Sequence, residues 1–154
     1  LALAGCGAKD STTTTLPDGS QATVTKEGDQ QGMTVESEGT QASIGSAAKV
    51  TEANLGMPFY PGATMVDGES MAVKTPTEET YLAAFTSTDP IEKIAAFYEE
   101  KVKGLTFSKI ENAGAVTMIS KEMMDSRKGK QSIVLIKKSS SDPVKITLGW
   151  GKTE

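Results

Sequence analysis

Asp89-Pro90-Ile91-Glu92-Lys93-Ile94-Ala95-Ala96-Phe97-Tyr98-Glu99-Glu100-Lys101-Val102-Lys103-Gly104 is the stretch on which a reading of the fold turns. Asp89 is a good N-cap, Pro90 suits the first helical position because its missing N–H is unpaired there anyway, and Glu92 stands three residues after the cap, as in a capping box. Ile91, Ile94, Ala95, Tyr98 and Val102 follow the i, i+3, i+4, i+7, i+11 spacing of one buried stripe, with Glu92, Lys93, Glu99, Glu100 and Lys103 left for water. Lys101 and Lys103 oppose the negative end of the helix dipole, and Gly104 closes the helix. The spacing predicts a helix over 90–103, about 21 Å long, enough to lie across a sheet.

Strand patterns flank it on both sides. Downstream, residues 105–110, 115–120 and 131–138 are β-type, with a turn at Asn112-Ala113-Gly114 and a polar loop over 121–130. The last strand alternates cleanly, Val144, Ile146, Leu148 and Trp150 against Lys145 and Thr147. Upstream, residues 80–87 place Tyr81, Ala83 and Phe85 on one face and Leu82 and Ala84 on the other, so both faces are expected to be partly covered. Residues 63–74 are β-type around a turn or loop tip at Asp67-Gly68. In Met57-Pro58-Phe59-Tyr60-Pro61-Gly62-Ala63, each proline pushes its predecessor toward extended backbone, and Pro61-Gly62 fits the centre of a type II turn. Phe59 and Tyr60 read there as caps on the core, with a recognition loop as the alternative. Between Gln21 and Gly45 apolar residues recur at alternate positions, Ala22 and Val24, Met33 and Val35, Ala42 and Ile44, the signature of a small β-meander that needs to dock on a larger sheet. Strands, one helix, then more strands predict an α+β fold: an antiparallel sheet with one main helix packed on one face, preceded by the small β-meander and a disordered N-terminal tether.

The tether reading rests on residues 8–20. Their run Ser11-Thr12-Thr13-Thr14-Thr15 and the turn Pro17-Asp18-Gly19 offer too little apolar surface to offset the entropy of ordering them. As flexible chain these thirteen residues would span roughly 20 Å. The whole chain, 154 residues at 37% hydrophobic and 23% charged, fits one domain with a tail. One cysteine permits no intrachain disulfide, so an apolar core must hold the fold. Residues 1–80 carry 4 basic and 11 acidic side chains and residues 81–154 carry 12 and 9, neither half basic enough to suggest nucleic acid.

Leu3-Ala4-Gly5-Cys6 resembles the lipobox of bacterial lipoproteins. The resemblance implies cleavage before Cys6, a diacylglycerol on its sulfur and acylation of its freed amine, with Leu1 to Ala4 as the end of a signal peptide's apolar region. The alternative is a buried structural cysteine, for which the polar stretch after it offers no core. Each buried acyl methylene contributes about 0.8 kcal/mol, so one chain holds marginally and two or three hold firmly. Tyr60-Pro61-Gly62-Ala63, Phe85-Thr86-Ser87-Thr88-Asp89 and Ala96-Phe97-Tyr98 also resemble a group of uncharacterised bacterial lipoproteins with a "YPGA … FY" α+β domain, across roughly residues 20–150. These resemblances imply a signal-peptide remnant at 1–5, a lipidated Cys6 and flexible tether at 6–20, the β-meander at 21–46 and the α+β domain at 57–154. They imply a lipid-anchored, extracytoplasmic location; Gly7, in place of the aspartate that retains enterobacterial lipoproteins at the inner membrane, favours the outer membrane facing the periplasm where there is one. No other segment has the 18 or more apolar residues of a membrane helix.

Catalytic chemistry finds little footing. Without histidine, Ser-His-Asp triads, Cys-His dyads and histidine metal sites are excluded. Ser46-Ala47-Ala48-Lys49 matches S-x-x-K, but its partner motifs are missing. The carboxylate pairs Glu78-Glu79 and Glu99-Glu100 read as solvated faces. Asp67 and Glu69 lack the ligand spacing of a calcium loop, and Met123-Met124 is the one methionine pair worth weighing for copper(I). No enzyme and no cofactor is expected. Lys121, Arg127, Lys128, Lys130, Lys137 and Lys138 cluster around one hairpin, either a lysine-protected edge or an interaction surface for an envelope protein, polysaccharide or anionic lipid. The expected role is a non-enzymatic binding or interaction module of the cell envelope; a carrier of a small apolar ligand between helix and sheet is the alternative.

Overall fold

The computed structural model describes residues 9–27 and 30–153. In chain order these form β1 (Lys9–Thr15), β2 (Gln21–Glu27), β3 (Gln30–Ser37), β4 (Thr40–Gly45), α1 (Glu52–Leu55), β5 (Thr64–Met65), β6 (Met71–Lys74), β7 (Glu78–Ser87), α2 (Ile91–Lys101), β8 (Phe107–Asn112), β9 (Ala115–Ser120), β10 (Met123–Met124), β11 (Lys130–Lys137) and β12 (Val144–Thr153). All the strands join one antiparallel sheet in the order β1-β2-β3-β4-β6-β7-β12-β11-β9-β8, with β5 added to the free edge of β7 and β10 to that of β11.

The sheet is built outward from β7 and β12, which pair along ten residues from Val144↔Ser87 to Thr153↔Glu78. The alternation in β12 puts Val144, Ile146, Leu148 and Trp150 on one buried face. Register brings Ala83 and Phe85 of β7 and Ile133 and Leu135 of β11 onto the same face. α2 lays Ile91, Ile94, Ala95 and Tyr98 over them, α1 adds Leu55, and Met57, Tyr60, Val102 and Leu105 fill the margins. The Tyr60-Pro61-Gly62-Ala63 turn closes with Ala63 N donating to Tyr60 O at 3.1 Å, Gly62 taking the φ of 76° that only glycine adopts freely. Tyr60 is buried in the core and Phe59 packs against it, its ring tilted on Phe85 with centroids 4.7 Å apart.

The expected α+β architecture does not hold. Strands make up 52% and helices 11% of the structure, and both helices are short. The helical stripe is real, but α2 ends at Lys101, with Val102 already extended, and begins at Ile91 behind an N-cap proline with no side-chain bond. Asp89 is drawn elsewhere: its carboxylate accepts from Tyr60 Oη at 2.6 Å and Lys93 Nζ at 3.0 Å. Hydrogen bonding continues past the strands α2 covers. β6 pairs with β4 through Gln41↔Lys74 to Ile44↔Met71, which fuses the meander into the same sheet.

Nor is the N-terminal segment an open tether over its described residues. β1 pairs with β2 along seven positions from Lys9↔Glu27 to Thr15↔Gln21, and the turn between them is held by Leu16 N to Ser20 O at 2.8 Å and by Asp18, which accepts from Ser20 N and Oγ. Ordering here comes from backbone pairing and β-branched side chains, and a strand of threonines needs no apolar face to gain either. Thr13 and Thr23 hydroxyls meet across the ladder at 2.9 Å.

Among the described residues, β1, β2, β3 and β4 contribute none to the buried hydrophobic core. One face of this half carries Thr13, Thr23, Thr34 and Ser43; the other carries a cross-strand row, Val24↔Met33↔Ile44↔Met71↔Leu82. Val24, Met33 and Ile44 are 43%, 40% and 45% exposed, so this face is wetted; on the threonine face Ser43 is buried and Ser46 and Ala47 fold back over Gly32.

Candidate functional site

The polar loop between β9 and β11 folds around Asp125. Its Oδ1 accepts from Arg127 N and Gly129 N, both at 2.9 Å, and its Oδ2 from Arg127 Nε at 2.7 Å and Trp150 Nε1 at 2.8 Å. Partial burial raises the Asp125 carboxyl, but the bonds from Arg127, Gly129 and Trp150 outweigh it and hold the group below its usual range. Arg127 then reaches across the fold. Its guanidinium donates to Ala53 O at 2.9 Å and Asn54 O at 3.0 Å and stacks 4.3 Å above the Trp150 ring. Gln131, buried, donates to Leu55 O and Gly56 O at 3.0 and 2.8 Å. Four carbonyls at the C-terminal end of α1, which have no partner within the helix, are thereby satisfied from the sheet. Gly129 is the close-approach point: a Cβ there would stand 2.1 Å from the Trp150 ring.

The six basic residues thus do not form one surface. Arg127, though partly exposed, clamps the fold to itself, which its sequence neighbours hid because the carbonyls it binds lie 73 and 74 positions away. Lys137 and Lys138 stand at the far end of β11 from Lys130, roughly 23 Å along the strand. Near that end the Glu92 carboxyl of α2 is held below its usual range by its own main-chain N–H, then by its bond from Lys109 at 3.3 Å, with Lys137 adding to it through charge. Lys121, Lys128 and Lys130 remain exposed at the β10 end, with Lys130 paired to Glu122 at 3.3 Å.

Lys128 and Lys130 rim a trough of about 580 Å³ on the sheet face opposite α2. The bare main chain of Gly149 and Gly151 floors it, with Thr80, Leu82 and Ser132 beside them. Glu78, Glu122, Met124 and Lys152 complete the rim, so it is mixed in charge and open. Two glycines alternating with Leu148 and Trp150 in β12 were the sequence signal for a strand buried on one side and stripped of side chains on the other.

Other candidates resolve into structural roles. Asp67 accepts from Gln30 Nε2 at 2.9 Å and Glu69 pairs with Lys145, which turns the two loop-tip carboxylates apart. Met123 packs on the core while Met124 is 63% exposed, so the pair points opposite ways. Glu79 accepts from Tyr81 Oη at 2.5 Å, and Glu99 and Glu100 are exposed. Ser46 N bonds to Gln31 O at 3.3 Å and Lys49 is exposed. The space between α2 and the sheet is filled by Ile91, Ile94, Ala95 and Tyr98; Tyr98 Oη is buried near the Tyr60 main chain without closing a hydrogen bond, and burial pushes its phenol up. Cys6 and residues 1–5 lie outside the described residues. Among the described residues no helix is long and apolar enough to cross a membrane. No protein-family model, no curated protein and no solved structure matches the chain.

Proposed function

We propose that the protein is a lipid-anchored, extracytoplasmic binding module of the bacterial cell envelope without catalytic activity, attached through Cys6. The observation that carries this reading is Leu3-Ala4-Gly5-Cys6, in which the one cysteine of the chain follows an apolar run. The anchored domain offers a contact surface in the glycine-floored trough beside Lys128 and Lys130. A partner from the envelope, a protein, a polysaccharide or an anionic lipid headgroup, would lay hydrogen-bonding groups against that floor and pair with its rim. Arg127 does not line the trough; its guanidinium ties Asp125 and the end of α1 together. The filled layer beneath α2 disfavours the carrier of a small apolar ligand.

Intact-mass measurement of the protein extracted from its own membrane tests the anchor. The expected result is a mass increased by a diacylglycerol and an N-linked acyl chain, with Cys6→Ser released to the soluble fraction. An unmodified cysteine on membrane-extracted protein would overturn it. For the contact surface, Lys128→Glu and Lys130→Glu together are expected to abolish capture of envelope components by the immobilised full chain; unchanged capture would remove the trough from the reading.

A further inference from the structure

We propose that the Val24–Met33–Ile44 face of the sheet rests on the lipid surface to which the chain is anchored, an inference that itself rests on acylation of Cys6. The argument starts from distance. Only Gly7 and Ala8 separate Cys6 from Lys9, the first residue of β1. Three residues at full extension reach about 10 Å, against the roughly 20 Å of a thirteen-residue flexible tether. The polar layer of a bilayer is about 5 to 8 Å thick on each side, so an acylated Cys6 holds the β1 edge at the level of the headgroups.

Charge then selects the face. Among the described residues, the side of β1–β4 that carries Val24, Met33 and Ile44 has Asp10 and Lys26 as its charged positions, and these two are register partners. Glu36 lies on the opposite, threonine-rich side. One side, neutral in charge, carries Ala22, Val24, Met33, Val35, Ala42 and Ile44 inboard of Thr12 and Thr14 of β1, and the other carries Glu36 with threonines, serines and glutamines. With the β1 edge pinned, one orientation dehydrates the apolar residues.

A second copy of the chain fits less well. From Val24 to Leu82 the row crosses four strand spacings, about 19 Å, and is two residues deep, about 7 Å, far short of the ~800 Å² per partner of a stable dimer. A lipid surface has no such threshold here, because the anchor already supplies association and the face adds to it at high effective concentration. Sheet twist of roughly 20–25° per strand turns the trough at β12 through about a right angle from β3, so the trough stays open to a partner while the N-terminal half lies on lipid.

The test uses the full acylated chain in vesicles of phosphatidylethanolamine and phosphatidylglycerol. Met33→Cys and, on the opposite face, Thr34→Cys each carry an environment-sensitive fluorophore; Ile44→Cys repeats the first, in case one substitution disturbs folding. Acyl-brominated lipid is expected to quench the Met33 and Ile44 labels several-fold more than the Thr34 label. Confirmed acylation with equal, weak quenching at all three sites overturns the inference and leaves the anchor standing. Intact mass without acyl chains overturns both. Shielding of Met33 that grows with protein density, without bromolipid quenching, assigns the face to a second copy and overturns the inference.

Discussion

One hydrogen-bonded sheet runs through two regions that are stabilised differently. In the C-terminal half, β7, β12 and β11 bury Ile146, Leu148 and Leu135 completely beneath α1 and α2. In the N-terminal half, β1 to β4 keep the same ladder geometry but bury no comparable set, and Val24, Met33 and Ile44 stay close to half exposed. Backbone pairing contributes similarly to both, at a modest net value per bond because water competes for each group. Burial separates them, at about 25 cal/mol per Å² of apolar area removed from water. A regular sheet therefore does not imply uniform stability, and the N-terminal strands are expected to open well below the global unfolding free energy.

The sharpest way to break that comparison is truncation at matched positions. Leu135→Ala is expected to cost about 2–5 kcal/mol, the range for a fully buried leucine, whereas Ile44→Ala should cost under about 1 kcal/mol in solution. Urea unfolding of the two variants measures this, and equal costs would show that the N-terminal face is covered after all. Gly129→Ala comes next, because its Cβ would enter the Trp150 ring; overpacking of this kind costs about 1–3 kcal/mol, read from the same curves and from loss of amide protection in α1.

Asp125→Asn tests the polar knot that joins α1 to the sheet. Asp125 has a folded-state carboxyl below its unfolded value near 3.8, so its stabilisation is fully present above that pH and is lost as pH falls through the lower folded value. The variant is expected to lose about 1–3 kcal/mol at neutral pH and to show a flatter acid limb; an unchanged acid limb would remove Asp125 from the account. The smallest effect is expected from Tyr98→Phe, which deletes a buried hydroxyl lacking a partner: between no change and about 1 kcal/mol of stabilisation, visible as an unchanged or raised melting temperature. A clear loss would mean that the hydroxyl is bonded in solution.

These contrasts mark where the sequence could be read. The alternation of Val144, Ile146, Leu148 and Trp150 and the stripe Ile91, Ile94, Ala95, Tyr98 announce burial because their periods match the elements that carry them. The two-residue turn at Ala113-Gly114, both at positive φ, was legible within the Asn112-Ala113-Gly114 turn. Fold class was not, because one well-formed helical stripe drew weight that belongs to a sheet whose far half has no strong apolar signal. Thr12 to Thr15 look like linker on any hydrophobicity count, yet they pair with β2 through their backbone. The Arg127 clamp and the separation of Lys137 from Lys130 were hidden for another reason, since both depend on pairings between residues remote in sequence or at opposite ends of one strand.

The position of β1 at the sheet's edge has a mechanical consequence. A load applied through the N-terminus and resisted by the core pulls first on Lys9, where the β1–β2 ladder opens one pair at a time in peeling rather than all together in shear. Releasing β1 would pay out seven residues, roughly 23 Å of chain, before β2 is loaded. The N-terminal half would then work as an extensible leash, yielding strand by strand at low force while the domain beneath α2 keeps its shape.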